Sequence, residues 1–245
     1  MVTTDISKST QLNMELDARR ILEILQDKGV ENLYHANTVQ TACTFLQSGR
    51  LMARGVVKEM GLHQTSQNSD KIDKKYNIWF DLFLDSVDIH DRIKRRNEYG
   101  PALFVFDLEA LEQDWLPSLW VTKSNPIQWK DNERLTDRYF SSEDEFKQEH
   151  RYGEFKQMLV LRHCGGILPL DPYLKKVYLD NPQKKLGTVD LYSQAVGALK
   201  VSARISGMKN LIIQPYPCKP KCSCVSEYEK LSKSKLKKFF APNFV

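Results

Sequence analysis

A histidine, an asparagine and a threonine lie close together near the front of the chain, at His35, Asn37 and Thr38. The residues before them favour a strand, and the apolar spacing after Thr38 predicts a helix that ends at Gly49. Thr38 has the side chain of an N-cap residue. A strand that delivers a histidine to the start of a helix presents an imidazole suited to ligand binding. This stretch is therefore the first candidate site.

A second group with possible chemistry is formed by Cys218, Cys222 and Cys224. Three thiolates in so short a stretch are typical zinc ligands, and Cys164 or His163 would be the fourth. The absence of a second close Cys/His pair favours the other interpretation, which is a proline-broken loop of free thiols without a metal. The odd total of five cysteines argues against a disulfide framework.

Charge and hydropathy restrict the class of protein. The net charge is +5, and much of the excess lies at residues 92–96 and 230–238. Such basic clusters suit phosphate or nucleic-acid contact, although many are only solvated surfaces. No apolar run reaches the roughly 20 residues that span a bilayer, and the first residues lack the pattern of a signal peptide. We therefore expect a cytoplasmic protein without a membrane partner.

Several common catalytic motifs are missing from the sequence. It contains no G-x-G-x-x-G after a strand, no G-x-x-x-x-G-K-[ST], no H-E-x-x-H and no G-x-S-x-G. Dehydrogenase, P-loop NTPase, zincin and α/β-hydrolase functions therefore have no support.

The elements that must position these residues are mostly short strands between helices. Residues 16–25 predict a first helix, residues 189–206 a later one, and residues 58–75 a long polar loop. Strands are predicted within 76–90, 101–107, 119–122, 154–161, 174–179 and 211–213. Because no regular βαβ alternation is present, we predict an α+β fold. The predicted organisation is an N-terminal helical segment (1–30), a catalytic domain (31–214) and a Cys-containing basic C-terminal tail (215–245).

The runs at 34–38 and 45–51 resemble the opening of the ADP-ribosyltransferase fold, most closely that of DarT-type toxins that modify nucleic acid. The similarity continues in order to residue 180. It includes an aromatic strand leading to an arginine, a Gly-Pro-Ala-Leu-Phe-Val-Phe-Asp run, a loop at 122–126, and a strand introduced by a glutamate. The resemblance implies an ADP-ribosyltransferase-like split β-sheet core with flanking helices.

The resemblance also implies that NAD⁺ is the substrate and that part of it is held near His35. In this family a strand-borne histidine and a nearby hydroxyl hold the nicotinamide carboxamide. Here these are His35 and Thr38, and Arg54 or Arg92 would hold the phosphates. The residues implied for NAD⁺ binding are His35, Asn37, Thr38, Gly49, Leu51, Arg54 and Arg92.

Breaking the N-glycosidic bond of NAD⁺ passes through an oxocarbenium-like state that a carboxylate stabilises. The family's glutamate directly precedes its apolar strand, and Gln157 takes that place here. Glu154 comes three residues earlier and is our candidate carboxylate, which Gly153 would let swing into the cleft. Gln157 is then the residue that orients the acceptor. The opposing interpretation makes Glu154 a solvated residue in a degenerate site.

A nucleic-acid base, in RNA or DNA, is favoured as the acceptor over a protein. The residues expected to contact it are Arg95, Arg96, Lys123 and Trp129. The predicted function is that of a mono-ADP-ribosyltransferase toxin or antiviral defence effector, with an antitoxin protein as a further partner. The alternatives are an RNA 2′-phosphotransferase-like enzyme, a protein-directed ADP-ribosyltransferase and a degenerate module that binds NAD⁺ or RNA.

Overall fold

The computed structural model describes residues 14–154 and 156–243, which form an α+β fold. Its strands are β1 Leu16–Asp17, β2 Asn32–Asn37, β3 Arg50–Met52, β4 Leu82–Asp85, β5 Ala102–Asp107, β6 Ser118–Val121, β7 Met158–Leu161, β8 Ile167–Pro169, β9 Leu174–Leu179, β10 Lys185–Leu186, β11 Val189–Asp190 and β12 Ile212–Pro215. Its α-helices are α1 Ala18–Asp27, α2 Val39–Ser48, α3 Arg54–Glu59, α4 Asp70–Lys75, α5 Ile89–Ile93, α6 Leu135–Arg138, α7 Glu143–Glu149, α8 Leu191–Ile205, α9 Cys224–Glu229 and α10 Lys233–Phe240. Short 3₁₀ turns cover Leu108–Leu111 and Pro126–Gln128.

Eight strands form one mixed sheet in the order β1-β6-β7-β4-β2-β5-β9-β12. Neighbouring strands are antiparallel except β9 and β12, which are parallel. The strands β3 and β8 form a separate two-stranded sheet, and so do β10 and β11. The α+β class predicted from the sequence is confirmed.

Helix α2 shows how local sequence positions the first candidate site. The Thr38 side chain accepts the Thr41 backbone N–H and so caps the helix, as predicted. Gly49 ends it in the left-handed conformation with φ of 67°, which glycine adopts without strain. The Phe45 ring of α2 lies 6.0 Å from the His35 ring and meets the Phe104 ring edge-on. Helix α2 therefore covers the sheet face that carries His35.

The two faces of the sheet bury separate apolar clusters. The larger cluster contains Leu33, Leu84 and Leu159 together with the helices α1, α2, α8, α9 and α10. The smaller one contains Val160, Trp129 and Tyr139. Because Leu159 and Val160 are consecutive strand residues, their side chains point to opposite faces.

Three predicted elements differ from those observed. The aromatic stretch at 76–90 contains only the short strand β4 and the start of α5, because Asp88 caps a helix by accepting the Asp91 N–H. The segment predicted as a long loop, 58–75, ends in α4. The N-terminal helix begins at Ala18, since Asp17 caps it.

The segment predicted as a basic tail packs against the rest of the fold. Tyr228 of α9 and Phe240 of α10 are fully buried, and Leu236 is 5% exposed. Helix α10 packs against α2 and α8. Within the described ranges, no helix has the length and apolar character needed to cross a bilayer.

Gly100 gives a test of how closely the chain segments pack beside the candidate site. A Cβ built on Gly100 would lie 2.1–2.3 Å from backbone atoms of Asn37 and Thr38, which have little freedom to move. We expect Gly100→Ala to lower the free energy of unfolding by about 3 kcal/mol. Gly197 is the matched control, because it lies in α8 with open space around it. Gly197→Ala should raise stability by about 0.5–1 kcal/mol. Urea denaturation of both variants measures the two effects, and equal stability would contradict the close approach.

Candidate functional site

The main sheet opens between its central strands β2 and β4. Strand β2 pairs with β5 along its whole length, from Asn32 to Asn37. With β4, in contrast, it has a single residue pair among the described residues, Tyr34 with Asp85. Beyond that pair, the His35 imidazole bridges to β4 by donating its Nδ1–H to the Phe83 carbonyl oxygen over 2.9 Å. The candidate site lies at this opening.

A chain of polar contacts extends from the His35 ring. A carbonyl only accepts, so Nδ1 carries the proton and Nε2 accepts from the Asn37 side-chain amide at 2.7 Å. The Asn37 Oδ1 atom in turn accepts from Gln67 Nε2 at 3.3 Å. Burial lowers the pKa of His35 to about 4. The ring is therefore neutral near pH 7, with one acceptor nitrogen.

The start of α2 is joined to the segment that follows α3. Thr38 Oγ1 donates to Thr65 Oγ1 over 2.7 Å, and the Thr65 N–H donates to Thr41 Oγ1 over 3.0 Å. All three side chains are buried. Thr38 thus serves as helix cap and as an anchor for the neighbouring segment.

Arg54 anchors the same segment from the other side. Its Nε lies 2.6 Å from Asp70 Oδ1, and its Nη2 donates to Asp70 Oδ2 over 3.0 Å. Nη2 also donates to the Thr65 carbonyl over 3.1 Å, and the guanidinium lies 5.6 Å from the Trp79 ring. Four of the residues predicted to bind NAD⁺, His35, Asn37, Thr38 and Arg54, are thus joined through Thr65, Gln67 and Asp70. We call this set of seven the His35 network.

The two candidate catalytic side chains lie beside β7. Tyr34, Asp85 and Met158 form one row across β2, β4 and β7. Gln157 directly precedes Met158, and His35 directly follows Tyr34. The Gln157 Oε1 atom accepts the Arg151 N–H. Glu154 lies in the preceding turn, where its carboxylate accepts the Lys156 N–H over 3.1 Å.

The exposed basic residues of α5 lie against that turn. Arg92 Nε donates to the Gly153 carbonyl oxygen over 3.1 Å, and Arg92, Lys94 and Arg95 are all exposed. Two other predicted nucleic-acid contacts already have partners within the protein. Arg96 lies 3.5 Å from Glu227, and Lys123 pairs with Glu145.

Two predicted site residues are core residues instead. Trp129 is 7% exposed, and the Tyr139 ring and the Arg138 guanidinium pack against it, so it does not offer a surface for a base. Leu51 is fully buried and pairs with Leu168 in the small sheet, which removes it from any cleft. Gly49 lies beside Ser206, with its role limited here to ending α2.

Asp85, which pairs with Tyr34, is a buried titratable residue that the sequence reasoning missed. Its Oδ1 atom is buried, and the described residues give that atom no hydrogen-bond partner. Burial, assisted by the nearby Asp88 carboxylate, raises the pKa of Asp85 to about 8. The only signal in the sequence is an aspartate directly after the apolar run Leu82-Phe-Leu. Gln67, Thr65 and Asp70 gave no signal, because they lie in a polar segment without periodicity.

Asp85 predicts a measurable dependence of stability on pH. Its folded pKa lies above its unfolded value, so its contribution to stability is complete at low pH and is lost as the pH rises toward 8. We expect Asp85→Asn to be more stable than wild type. The difference in their free energies of unfolding should increase by about 1–2 kcal/mol between pH 6.5 and pH 8. The exposed Asp114 supplies the control substitution, Asp114→Asn. Thermal unfolding at each pH measures the difference, and a constant difference would contradict the prediction.

The three clustered cysteines lie together in the structure, and the group that they form includes neither Cys164 nor His163. The fourth side chain is His90 of α5, and its ring nitrogen lies within 4.8 Å of the three sulfur atoms. Cys164, in contrast, directs its sulfur toward the Leu161 carbonyl.

In comparisons with known proteins, the chain matches neither a protein-family model nor a curated protein sequence.

Proposed function

We propose that the chain is a mono-ADP-ribosyltransferase that transfers ADP-ribose from NAD⁺ to a nucleic-acid base. The observation that carries this proposal is the contact chain from His35 through Asn37 to Gln67, at the opening between β2 and β4. The contacts from His35 and Gln67 hold the carboxamide of the Asn37 side chain. Nicotinamide, the leaving group of NAD⁺, carries the same functional group.

The fit to nicotinamide rests on the two partners of the Asn37 side chain. Its amide N–H groups face an imidazole acceptor at 2.7 Å, and its oxygen faces an amide donor at 3.3 Å. A neutral His35 is required for this arrangement, since a protonated ring has no acceptor nitrogen. When Asn37 turns aside, the nicotinamide carboxamide would take the same acceptor and donor.

Two arginines have separate roles in the proposed site. In this proposal Arg54 contacts the pyrophosphate, because its planar guanidinium suits phosphate oxygens and it belongs to the His35 network. Its ion pair with Asp70 keeps the side chain in one orientation. Arg92 holds the Gly153 carbonyl and thereby the turn that contains Glu154.

Glu154 is proposed as the carboxylate that stabilises positive charge on the ribose. Its present partner is the Lys156 N–H of its own turn. The left-handed Gly153, with φ of 83°, is the position where this turn can change direction. Gln157, which directly precedes β7, would orient the acceptor.

The proposed nucleic-acid acceptor is supported by the location of the exposed positive charge. Arg92, Lys94 and Arg95 are exposed, and Arg92 contacts the turn of Glu154 directly. A polyanion bound along α5 would therefore bring its bases to the side of the sheet where Glu154 lies.

The test is incubation of the purified chain with NAD⁺ labelled in the adenylate group, in separate reactions with single-stranded DNA, RNA and lysate protein. Label on DNA or RNA, with release of nicotinamide in equal amount, is the expected result. Label on protein alone would transfer the proposal to a protein acceptor. NAD⁺ binding without nicotinamide release would indicate that the chain is a binding module and not an enzyme. Removal of phosphate from a 2′-phosphorylated RNA would indicate phosphotransferase chemistry.

A further inference from the structure

We propose that His90, Cys218, Cys222 and Cys224 bind one zinc ion as a structural site. The four ligand atoms lie within 4.8 Å of one another, although the histidine is separated from the cysteines by more than 120 residues of sequence. Three sulfur atoms and one imidazole nitrogen are a ligand set typical of structural zinc.

Three of the distances between these atoms are close to those of a tetrahedral zinc centre. Zn–S bonds of about 2.3 Å and Zn–N bonds of about 2.0–2.1 Å give ligand separations of about 3.6–3.8 Å at tetrahedral angles. His90 Nε2 lies 3.1 Å from Cys222 Sγ and 3.8 Å from Cys218 Sγ. Cys218 Sγ lies 3.3 Å from Cys224 Sγ, and all three thiols are free. These three separations differ from the tetrahedral values by about 0.2–0.5 Å.

His90 is oriented for metal binding by its other ring nitrogen. Nδ1 lies 3.0 Å from Asp180 Oδ1, and both side chains are 3% exposed. Asp180 also accepts the Tyr228 hydroxyl over 2.6 Å. The ring stacks on Tyr216 at 3.9 Å between centroids, with an angle of 7° between planes. A carboxylate that fixes the imidazole and leaves Nε2 toward the metal is the usual arrangement behind a zinc-bound histidine.

The backbone around the cysteines is tied to the same helix that supplies His90. The Ser223 N–H donates to the Lys94 carbonyl over 2.8 Å, and Lys219 Nζ donates to Asp91 Oδ2 over 2.6 Å. Both contacts join the cysteine segment to α5. Four protein ligands complete the coordination, which leaves no position for substrate and indicates a structural role.

The first measurement is the metal content of the wild-type chain, purified under reducing conditions after expression with zinc in the medium. Mass spectrometry of the metal should find one zinc per chain. The metal-free protein, titrated with Co²⁺, should show the visible absorption of a tetrahedral thiolate centre. A wild-type chain that retains no zinc and gives no such absorption would overturn the proposal, and so would a native Cys218–Cys224 disulfide.

Substitutions then identify the ligands. Cys222→Ser should lose the zinc, whereas Cys164→Ser, a half-buried cysteine outside the cluster, should retain it. Asp180→Asn should keep the fold and lower zinc affinity by about 10–100-fold. Equal loss of zinc from the Cys164→Ser protein would contradict the ligand assignment. These outcomes do not depend on transferase activity, so the zinc site stands or fails separately from the proposed function.

Discussion

Replacing Glu154 by glutamine is expected to lower NAD⁺-dependent transfer by about 10²–10³-fold, because the neutral amide removes the charge that stabilises the oxocarbenium-like state. The substitution keeps the size of the side chain and an oxygen that can accept the Lys156 N–H. We therefore expect unchanged folding and an NAD⁺ dissociation constant close to that of wild type. Initial rates of nicotinamide release, with and without nucleic acid, measure the loss.

The matched control for this experiment is Glu149→Gln. Glu149 is an exposed carboxylate at the end of α7, outside the His35 network. Its replacement should leave the rate unchanged. Glu154→Gln with wild-type rates would show that Glu154 does not supply the carboxylate. The contribution of Gln157 is tested separately by Gln157→Ala. That variant should still release nicotinamide, with water instead of the acceptor taking the ADP-ribosyl group, and should lose transfer to the nucleic acid.

Replacing His35 by alanine is the second large effect. The substitution leaves the Phe83 carbonyl and the Asn37 amide without their partner and removes the proposed acceptor for the nicotinamide amide. A hydrogen bond of this kind is worth about 0.5–1.5 kcal/mol, so losing the one to the nicotinamide amide should lower NAD⁺ affinity by about 2–12-fold. Calorimetric titration with NAD⁺ measures the affinity.

His63→Ala serves as the control for His35, since the His63 side chain is exposed. The contact of His63 with Thr44 is made by its backbone carbonyl, which the substitution keeps. A conservative variant distinguishes a purely structural role of His35 from a role in NAD⁺ binding. His35→Gln retains a donor and an acceptor, and we expect it to recover stability fully and NAD⁺ affinity in part. Equal NAD⁺ affinity in wild type and a folded His35→Ala protein would contradict the proposed binding site.

The parts of this fold that could be predicted are those encoded by neighbouring residues. Thr38 and Gly49 mark the two ends of α2 because a cap hydroxyl and a left-handed glycine act locally. The apolar runs of β5, β7 and β9 identify buried strands for the same reason. The strand order and the opening beyond Tyr34 and Asp85 depend on long-range pairing, which leaves no local pattern.

The candidate sites show the same limit. His35, Asn37 and Thr38 could be identified because they are close in sequence, whereas Gln67 joins them only after a distant segment folds over α2. His90, the ligand in the proposed zinc site, was missed because closeness in sequence favoured His163 and Cys164. Trp129 was assigned to a surface because an aromatic residue in a basic chain suggests base stacking, and its burial depends on contacts with distant residues.

The packing of α10 against α2 has a consequence for the order of events during synthesis. The helix that Thr38 caps reaches its final environment only when Leu236 and Phe240 have been added, since both belong to the same apolar cluster. While residues 233–240 of a nascent chain are still inside the ribosome exit tunnel, helix α2 therefore lacks its packing against α10. Helix α2 therefore completes its packing only after this segment has emerged.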